Sequence, residues 1–149
     1  MMSATAATIM LVEDDPSLGQ LLAEELEMDG YAVDRAATVQ EARGLLQQQR
    51  PALIVSDLRL PDGDGMQVLA FQQAEHPGIP FIVITAFGTV DQAVEALKAG
   101  ADDFLTKPLS TDHLRLKIKR LLAQADVNRQ LAEIQSRQQG EKNMGLVGD

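Results

Sequence analysis

Strand-like runs of four to six residues alternate five times with stretches of helical periodicity, and this order constrains the fold more than any other feature of the sequence. The runs predict strands at residues 8–12, 31–36, 52–57, 80–85 and 103–106. The stretches that follow them predict helices at residues 15–30, 38–49, 66–75, 89–100 and 110–122. Because this alternation is typical of a parallel sheet covered on both faces by helices, we expect an α/β fold, most simply a doubly wound one.

Several helix boundaries carry start and stop signals. Asp15 and Pro16 suit the cap and the first position of the first helix, and Gly30 suits its end. Thr38 and Glu41 have the spacing of a capping box at the start of the second helix. Four leucines are spaced to share one face of the first helix: Leu18, Leu21, Leu22 and Leu26.

The composition narrows the classes of partner. The chain of 149 residues holds 22 acidic and 13 basic side chains, a net charge of −9 that repels nucleic-acid phosphates. It has no cysteine, which excludes disulfides and thiolate metal sites. No apolar run approaches the ~20 residues of a membrane span, and the start lacks the basic residues of a secretory signal. We therefore expect a cytoplasmic protein that contacts neither nucleic acid nor membrane.

Polar residues follow four of the five predicted strands. Glu13 and Asp14 follow the first strand, Asp57 ends the third, Thr85 ends the fourth and Lys107 follows the fifth. Ligands of open α/β sheets bind beyond the carboxyl ends of the strands, so these side chains are expected to meet at one edge. Each alone has a structural alternative, as a helix cap, a strand end or a solvated charge. Their joint occurrence at strand ends favours a functional site.

This set of groups favours phosphoryl chemistry assisted by a metal ion. Crowded carboxylates repel one another unless a cation lies between them, and oxygen ligands without histidine or cysteine favour Mg²⁺ or Ca²⁺. An ammonium and a hydroxyl beside that cation suit a phosphoryl group, and an aspartate can be the nucleophile that accepts it. Two further acids, Asp62 and Asp64, stand beside glycines and are expected to be turn residues with local backbone hydrogen bonds, not ligands.

The motifs IMLVEDDPSL, LIVSDLRLPDGDGMQVL, PFIVITAFG and GADDFLTKPL together resemble the receiver domains of bacterial two-component response regulators. The resemblance covers roughly residues 8–122. It implies a flavodoxin-like fold of five parallel strands in the order 2-1-3-4-5. It also implies that Asp57 accepts a phosphoryl group from a histidine kinase.

The same resemblance implies a magnesium site around the phosphoacceptor. Asp14 and Asp57 would be ligands, Glu13 would act through a water molecule, and the backbone carbonyl of Arg59 would supply a further oxygen. Glu13 stands where many family members have aspartate, although glutamate is also common there.

The resemblance further implies how phosphorylation is sensed. Lys107 would pair with the phosphoryl oxygens, and its peptide bond to Pro108 would be cis. Thr85 would donate a hydrogen bond to the phosphoryl group, and Phe104 would be the aromatic residue that fills the space this movement frees. The face formed by the fourth helix, fifth strand and fifth helix would then rearrange or form a homodimer. The structural alternative for Phe104 is an ordinary core residue.

The lifetime of the phosphoryl group depends on access of water to it. In receiver domains, the residue two positions after the phosphoacceptor (here Asp57) and the residue two positions after the hydroxyl that binds the phosphoryl group (here Thr85) flank the path of that water. Here they are Arg59 and Phe87, and both are large. We therefore expect slow autodephosphorylation.

Residues 123–140 are polar and rich in glutamine, and they are expected to form a helical linker. Val127, Leu131 and Ile134 have heptad-like spacing over barely two turns. The linker is therefore either a solvated extension of the last helix or a short dimerising coiled coil.

The end of the sequence predicts the class of output. The tail GLVGD, after a receiver and a linker helix, resembles the entry to the ATPase module of sigma-54-dependent transcriptional activators. The expected organisation is a leader at 1–7, a receiver domain at 8–122, a helical linker at 123–140 and the start of a truncated ATPase domain at 141–149. The chain is not expected to be an enzyme beyond accepting and slowly losing its own phosphoryl group.

Three alternatives remain open. A phosphatase of the haloacid dehalogenase type needs a second aspartate two positions after the nucleophile, where this chain has Arg59. A nucleotide- or flavin-binding domain needs a glycine-rich loop after the first strand, where this chain has VEDDPSLG. A stand-alone receiver that acts through protein contacts is disfavoured only by the tail.

Overall fold

The computed structural model describes residues 7–86 and 90–146. The elements of the first range are β1 (Thr8–Val12), α1 (Pro16–Met28), β2 (Ala32–Ala36), α2 (Val39–Gln48), β3 (Leu53–Asp57), β4 (Arg59–Leu60), β5 (Gly63–Asp64), α3 (Gly65–Glu75) and β6 (Phe81–Thr85). Those of the second range are α4 (Val90–Ala99), β7 (Asp103–Thr106) and α5 (Thr111–Leu146).

Five strands form one parallel sheet in the order β2-β1-β3-β6-β7. Counted along the chain without the short β4 and β5, this is the order 2-1-3-4-5, and it confirms the doubly wound α/β fold. The chain runs from β1 to one side of the sheet and then returns to the other side from β3 onward. The crevice beyond the carboxyl ends of β1 and β3 is therefore the topological switch point, where α/β sheets bind ligands.

Alternate side chains of each buried strand point to opposite faces of the sheet. One face carries α2, α3 and α4, whose core includes Met10, Val12, Ile54, Phe81, Val83, Leu46, Val68 and Ala96. The other face carries α1 and α5, whose core includes Ile9, Leu11, Val55, Ile82, Ile84, Leu22, Leu26, Leu114 and Ile118. Packing on both faces fixes the central strands and hence the residues that follow them.

Helix α1 begins and ends as its sequence predicts. The Asp15 side chain accepts hydrogen bonds from the backbone N–H groups of Ser17 and Leu18, and the helix ends just before Gly30, which has a φ of +94°. The expected shared leucine face is wrong at Leu21, which is 49% exposed. Leu22 and Leu26 fill the contact with the sheet instead.

Helix α2 contains only half of the expected capping box. Thr38 Oγ1 accepts from the Glu41 N–H at 3.0 Å, as predicted. The Glu41 carboxylate, however, accepts from the N–H of Ala37 at 2.7 Å and not from Thr38.

Two features extend beyond the sequence-based expectation. A short antiparallel hairpin, β4–β5, follows β3 and pairs Arg59 with Asp64. Helix α5 continues without interruption through the boundary expected after residue 122, and Val127, Leu131 and Ile134 on it are 48%, 50% and 47% exposed. The division into receiver, linker and output segments stays a prediction.

Within the described ranges, no helix combines the length and the apolar character needed to cross a membrane.

Candidate functional site

The side chains predicted to meet at the carboxyl edge of the sheet are gathered there. Asp57 is the last residue of β3 and Thr85 the last of β6, and both are buried. Glu13 follows β1 and is buried, whereas its neighbour Asp14 is exposed. The segment after β7 is joined to β6 by a hydrogen bond of 2.8 Å from the N–H of Lys107 to the carbonyl of Thr85.

Lys107 connects two of the buried carboxylates. Its Nζ donates to Asp57 Oδ2 at 2.8 Å and lies 3.4 Å from Glu13 Oε1. Burial lowers the pKa of Lys107, but the hydrogen bond to Asp57 and the charges of both acids outweigh burial and raise this pKa above its ordinary value. The ammonium is therefore charged and held between the two acids.

The Asp57 carboxylate is held at both oxygens. Oδ2 binds Lys107, and Oδ1 accepts from the backbone N–H of Arg59 at 3.1 Å. The main chain around it is also fixed, since the Ser56 hydroxyl donates to the Asp57 carbonyl at 2.9 Å. A Cβ at position 65 would lie 2.6 Å from that carbonyl oxygen, which accounts for Gly65 at the start of α3.

Glu13 is a buried acid with one carboxylate oxygen that lacks a hydrogen bond. Its Oε2 accepts from the N–H of Asp15 at 3.1 Å, whereas Oε1 is buried and accepts no hydrogen bond. Burial, followed by the negative charge of Asp57, raises the pKa of Glu13 to about 7. A cation bound beside this oxygen would stabilise the charged form of Glu13.

The donor set fits a hard divalent cation. One carboxylate oxygen from each of Glu13, Asp14 and Asp57 lies within 4.8 Å of the others. Three carboxylates and one ammonium leave the cluster with excess negative charge, and all of the candidate ligands are oxygens, which suits Mg²⁺.

The other acids near these strand ends have structural partners. Asp15 caps α1, as described above. Asp64 caps α3 in a complete capping box with Gln67, which the spacing of these two residues could have predicted. The expectation of purely local bonds is wrong for Asp62, whose carboxylate accepts from the N–H groups of Val39 and Gln40 at the start of α2.

The remaining predicted residues are placed as follows. The Lys107–Pro108 peptide bond is cis. Phe104 is partly buried and packs against the core on the face of α2, α3 and α4. Arg59 is exposed, and the role of its carbonyl as a ligand stays a prediction. Phe87 lies outside the described residues.

Residues 9–119 match the family model described as "Response regulator receiver domain". Among curated proteins, the chain is 38% identical to response regulator protein PilR of Pseudomonas aeruginosa over 132 residues, which are 89% of this chain and 30% of that protein. It is 40% identical to transcriptional regulatory protein GlrR of Escherichia coli over 124 residues, which are 83% of this chain and 28% of that protein. The chain thus spans under a third of the length of these relatives.

Solved structures give the same result. The signal receiver domain of a LuxO repressor protein from Vibrio parahaemolyticus matches with a TM-score of 0.79 and 33% identity, over 85% of this chain and 98% of that one. The receiver domain of NtrX from Brucella abortus matches with a TM-score of 0.74 and 30% identity, over 77% of this chain and 98% of that one.

Proposed function

The chain belongs to the response regulator receiver domain family, and we propose that it carries a two-component signal by accepting a phosphoryl group on Asp57 from a histidine kinase. The transfer requires Mg²⁺ and changes the surface formed by α4, β7 and α5. That surface controls an output domain that regulates transcription.

The observation that carries this proposal is the way in which Asp57 is held. Its carboxylate is buried at the switch point of the sheet, oriented by the Arg59 N–H and paired with the Lys107 ammonium. A nucleophile fixed in this way has little orientational freedom to lose on reaction. The ammonium is already beside the oxygen that would carry the phosphoryl group, where negative charge must be neutralised.

The transfer forms one bond and breaks one. An Asp57 carboxylate oxygen attacks the phosphorus of the kinase's phosphohistidine, a P–O bond forms, and the P–N bond breaks. The electron pair of that bond leaves with the imidazole, which takes up a proton. Lys107 then pairs with a phosphoryl oxygen in place of the free carboxylate oxygen, and the Thr85 hydroxyl donates to another.

Mg²⁺ would be held by Asp14, Asp57 and the Arg59 carbonyl, with Glu13 acting through a water molecule. Two features of the described residues support this assignment: Glu13 Oε1 accepts no hydrogen bond and has only the Lys107 ammonium at 3.4 Å, and three carboxylates are crowded together. When bound, the ion neutralises negative charge on the transferred phosphoryl group.

Phosphorylation shifts the domain between two states because only one of them gains these phosphoryl contacts. The Thr85 hydroxyl lies at the end of β6, and Phe104 lies on the neighbouring strand β7, where Val83 is its register partner. Movement of Thr85 toward the phosphoryl group and repacking of Phe104 would alter the face of α4, β7 and α5. This face, or the linker part of α5, would mediate a homodimer.

The output is assigned from the sequence and from the relatives. PilR and GlrR are named as a response regulator and a transcriptional regulatory protein, and each is more than three times as long as the matched segment. Together with the GLVGD tail, this supports a regulatory segment of a sigma-54-dependent activator that works in the cytoplasm. The segment itself would neither contact DNA nor act as an enzyme on other molecules.

The proposal is tested by incubating the protein with Mg²⁺ and acetyl phosphate and measuring the intact mass. The mass of the wild type should rise by one phosphoryl group, and Asp57→Asn should abolish the change. Asp112→Asn, which removes an exposed acid on α5, is the matched control and should behave as the wild type. Modification of Asp14 with Asp57 unmodified would overturn the assignment.

A further inference from the structure

Asp62 joins the segment after the phosphoacceptor to a helix that is distant in sequence. Its Oδ1 accepts from the Val39 N–H at 2.8 Å and its Oδ2 from the Gln40 N–H at 3.1 Å. Both donors belong to the first turn of α2, whose N–H groups have no partner within the helix. The negative charge also lies at the positive end of that helix.

Two side chains cap α2, and each binds different N–H groups of its first turn. Thr38 directly precedes α2, and its side chain accepts only from the Glu41 N–H. Asp62 comes from the β4–β5 hairpin and binds the two N–H groups before it. Only the second cap connects α2 to another element.

The hairpin that carries Asp62 is attached at three places. At one end, Arg59 donates its N–H to the phosphoacceptor Asp57. At the other end, Asp64 pairs with Arg59 across the hairpin and caps α3. Between these ends, Asp62 anchors the turn to α2. The position of the Arg59 peptide therefore depends on the anchors at Asp62 and Asp64.

We propose that Asp62 is a positioning residue, which anchors the β4–β5 hairpin to α2 and thereby holds the Arg59 peptide against Asp57. This inference rests on the proposed function, since the group positioned is the phosphoacceptor and the peptide that follows it. It assigns to Asp62 a role that its place in a glycine-rich turn does not indicate. Leu60 is buried and packs the hairpin onto the core.

The first measurement is amide hydrogen exchange by NMR on the full chain without Mg²⁺. Asp62→Ala should accelerate exchange of the Arg59 N–H by about fivefold or more, because the hairpin loses one of its anchors. Thr38→Ala is the matched control, since it removes the other cap of the same helix without detaching the hairpin. It should destabilise α2 but leave the exchange of the Arg59 N–H unchanged.

The second measurement is the initial rate of phosphorylation by acetyl phosphate as a function of Mg²⁺ concentration. Asp62→Ala should lower the rate at subsaturating Mg²⁺ by about three- to tenfold, since small misplacements of reacting groups slow a reaction strongly. Asp62→Asn keeps one acceptor oxygen and should fall between the wild type and Asp62→Ala. This rescue separates positioning from the loss of a negative charge, which both variants share.

The outcomes distinguish this inference from the proposed function. If Asp62→Ala matches Thr38→Ala in both exchange and rate, Asp62 is only a helix cap and the inference is wrong. If the wild type accepts no phosphoryl group at all, the proposed function fails, and the exchange of the Arg59 N–H alone decides whether Asp62 positions that peptide.

Discussion

Lys107 Nζ lies 2.8 Å from Asp57 Oδ2, and the same ammonium lies 3.4 Å from Glu13 Oε1. One cation thus pairs with two buried carboxylates, and the exposed carboxylate of Asp14 lies beside them. The ammonium partly neutralises the cluster, which weakens its attraction for a metal ion, and it also lies where the negative charge of a transferred phosphoryl group would be neutralised. We therefore expect Lys107 to weaken metal binding and to promote phosphoryl transfer.

Replacing Lys107 with methionine should separate these effects. Mg²⁺ should bind more tightly, because the carboxylates lose a competing positive charge, while the rate of phosphorylation should fall by about 100-fold through loss of a charged donor. Magnesium titration followed by NMR and phosphorylation followed by intact mass measure the two effects. Lys117→Met, which removes the cation paired with Asp103, is the control and should change neither. Weaker Mg²⁺ binding in Lys107→Met would contradict this account.

Asp14 and Asp15 are adjacent acids with different roles, and alanine at each should give different results. Asp14→Ala should abolish Mg²⁺ binding and phosphorylation, and without metal its melting temperature should equal or exceed that of the wild type because carboxylate repulsion is relieved. Asp15→Ala should keep Mg²⁺ binding but lose about 1 kcal/mol of stability with the cap of α1. Thermal unfolding with and without Mg²⁺ measures both. Unfolding of the domain by Asp14→Ala would show that Asp14 is structural.

The sequence predicts those parts of the structure that are determined by residues close together in the chain. Four of the five main strands end in a polar residue or are followed by one, so Asp57, Thr85 and Lys107 could be placed at one edge of the sheet. Asp62 could not be assigned in this way, since its partners in α2 lie more than twenty residues away. The strands β4 and β5 have two residues each, too few to show a period.

Two further differences have physical reasons. Leu21 has helical spacing with its buried neighbours, but α1 contacts the sheet along a narrower stripe than the spacing suggests. Residues after 122 are rich in good helix formers and contain no proline, so α5 propagates beyond the part that packs on the sheet.

Arg115 should make stability depend on pH through its contact with Asp29. Nε and Nη2 donate to the two Asp29 oxygens at 2.7 and 2.5 Å, which joins α5 to the end of α1. This pairing holds the pKa of Asp29 below its ordinary value of 3.8. The stabilisation is therefore present above that pH and is lost as the pH falls through the lowered pKa of the folded state.

The variant Arg115→Gln tests this pH dependence. Its free energy of unfolding, measured in urea, should be lower than that of the wild type at pH 7, and the difference should shrink toward pH 2.5. Arg120→Gln removes the same charge from an exposed position of α5 and is the control. A difference that is constant with pH would indicate that Arg115 stabilises by packing and not by its charge.

The exposed stripe of Val127, Leu131 and Ile134 should contribute to self-association. These side chains recur at intervals of four and three residues on one face of α5, as in a coiled-coil seam. Deletion of residues 126–149 should weaken any dimer, and so should glutamine at all three positions, which preserves the helix length. Sedimentation at matched concentrations measures the dimer mass. Equal association with and without the segment would exclude the linker and leave the face of α4, β7 and α5.

The last prediction concerns the lifetime of the phosphoryl group on Asp57. Hydrolysis requires a water molecule in line with the bond to phosphorus, and Arg59 and Phe87 are expected to flank its path. Arg59 is held beside the site by its N–H bond to Asp57, and its side chain is exposed. We expect this side chain to lie across the path of the water molecule. Phe87 is apolar and cannot orient a water molecule.

Two effects of Arg59 oppose each other. Its guanidinium could assist attack by neutralising charge on the phosphoryl oxygens, or it could block the approach of water. We expect the steric effect to dominate, because orienting the nucleophile supplies a large part of phosphoryl-transfer catalysis. The phosphorylated wild type should therefore decay more slowly, by about tenfold, than Arg59→Asn combined with Phe87→Glu, which offers small or polar groups that bind water. Decay of the phosphorylated protein after removal of the donor measures this, and faster decay of the wild type would show that charge neutralisation outweighs shielding.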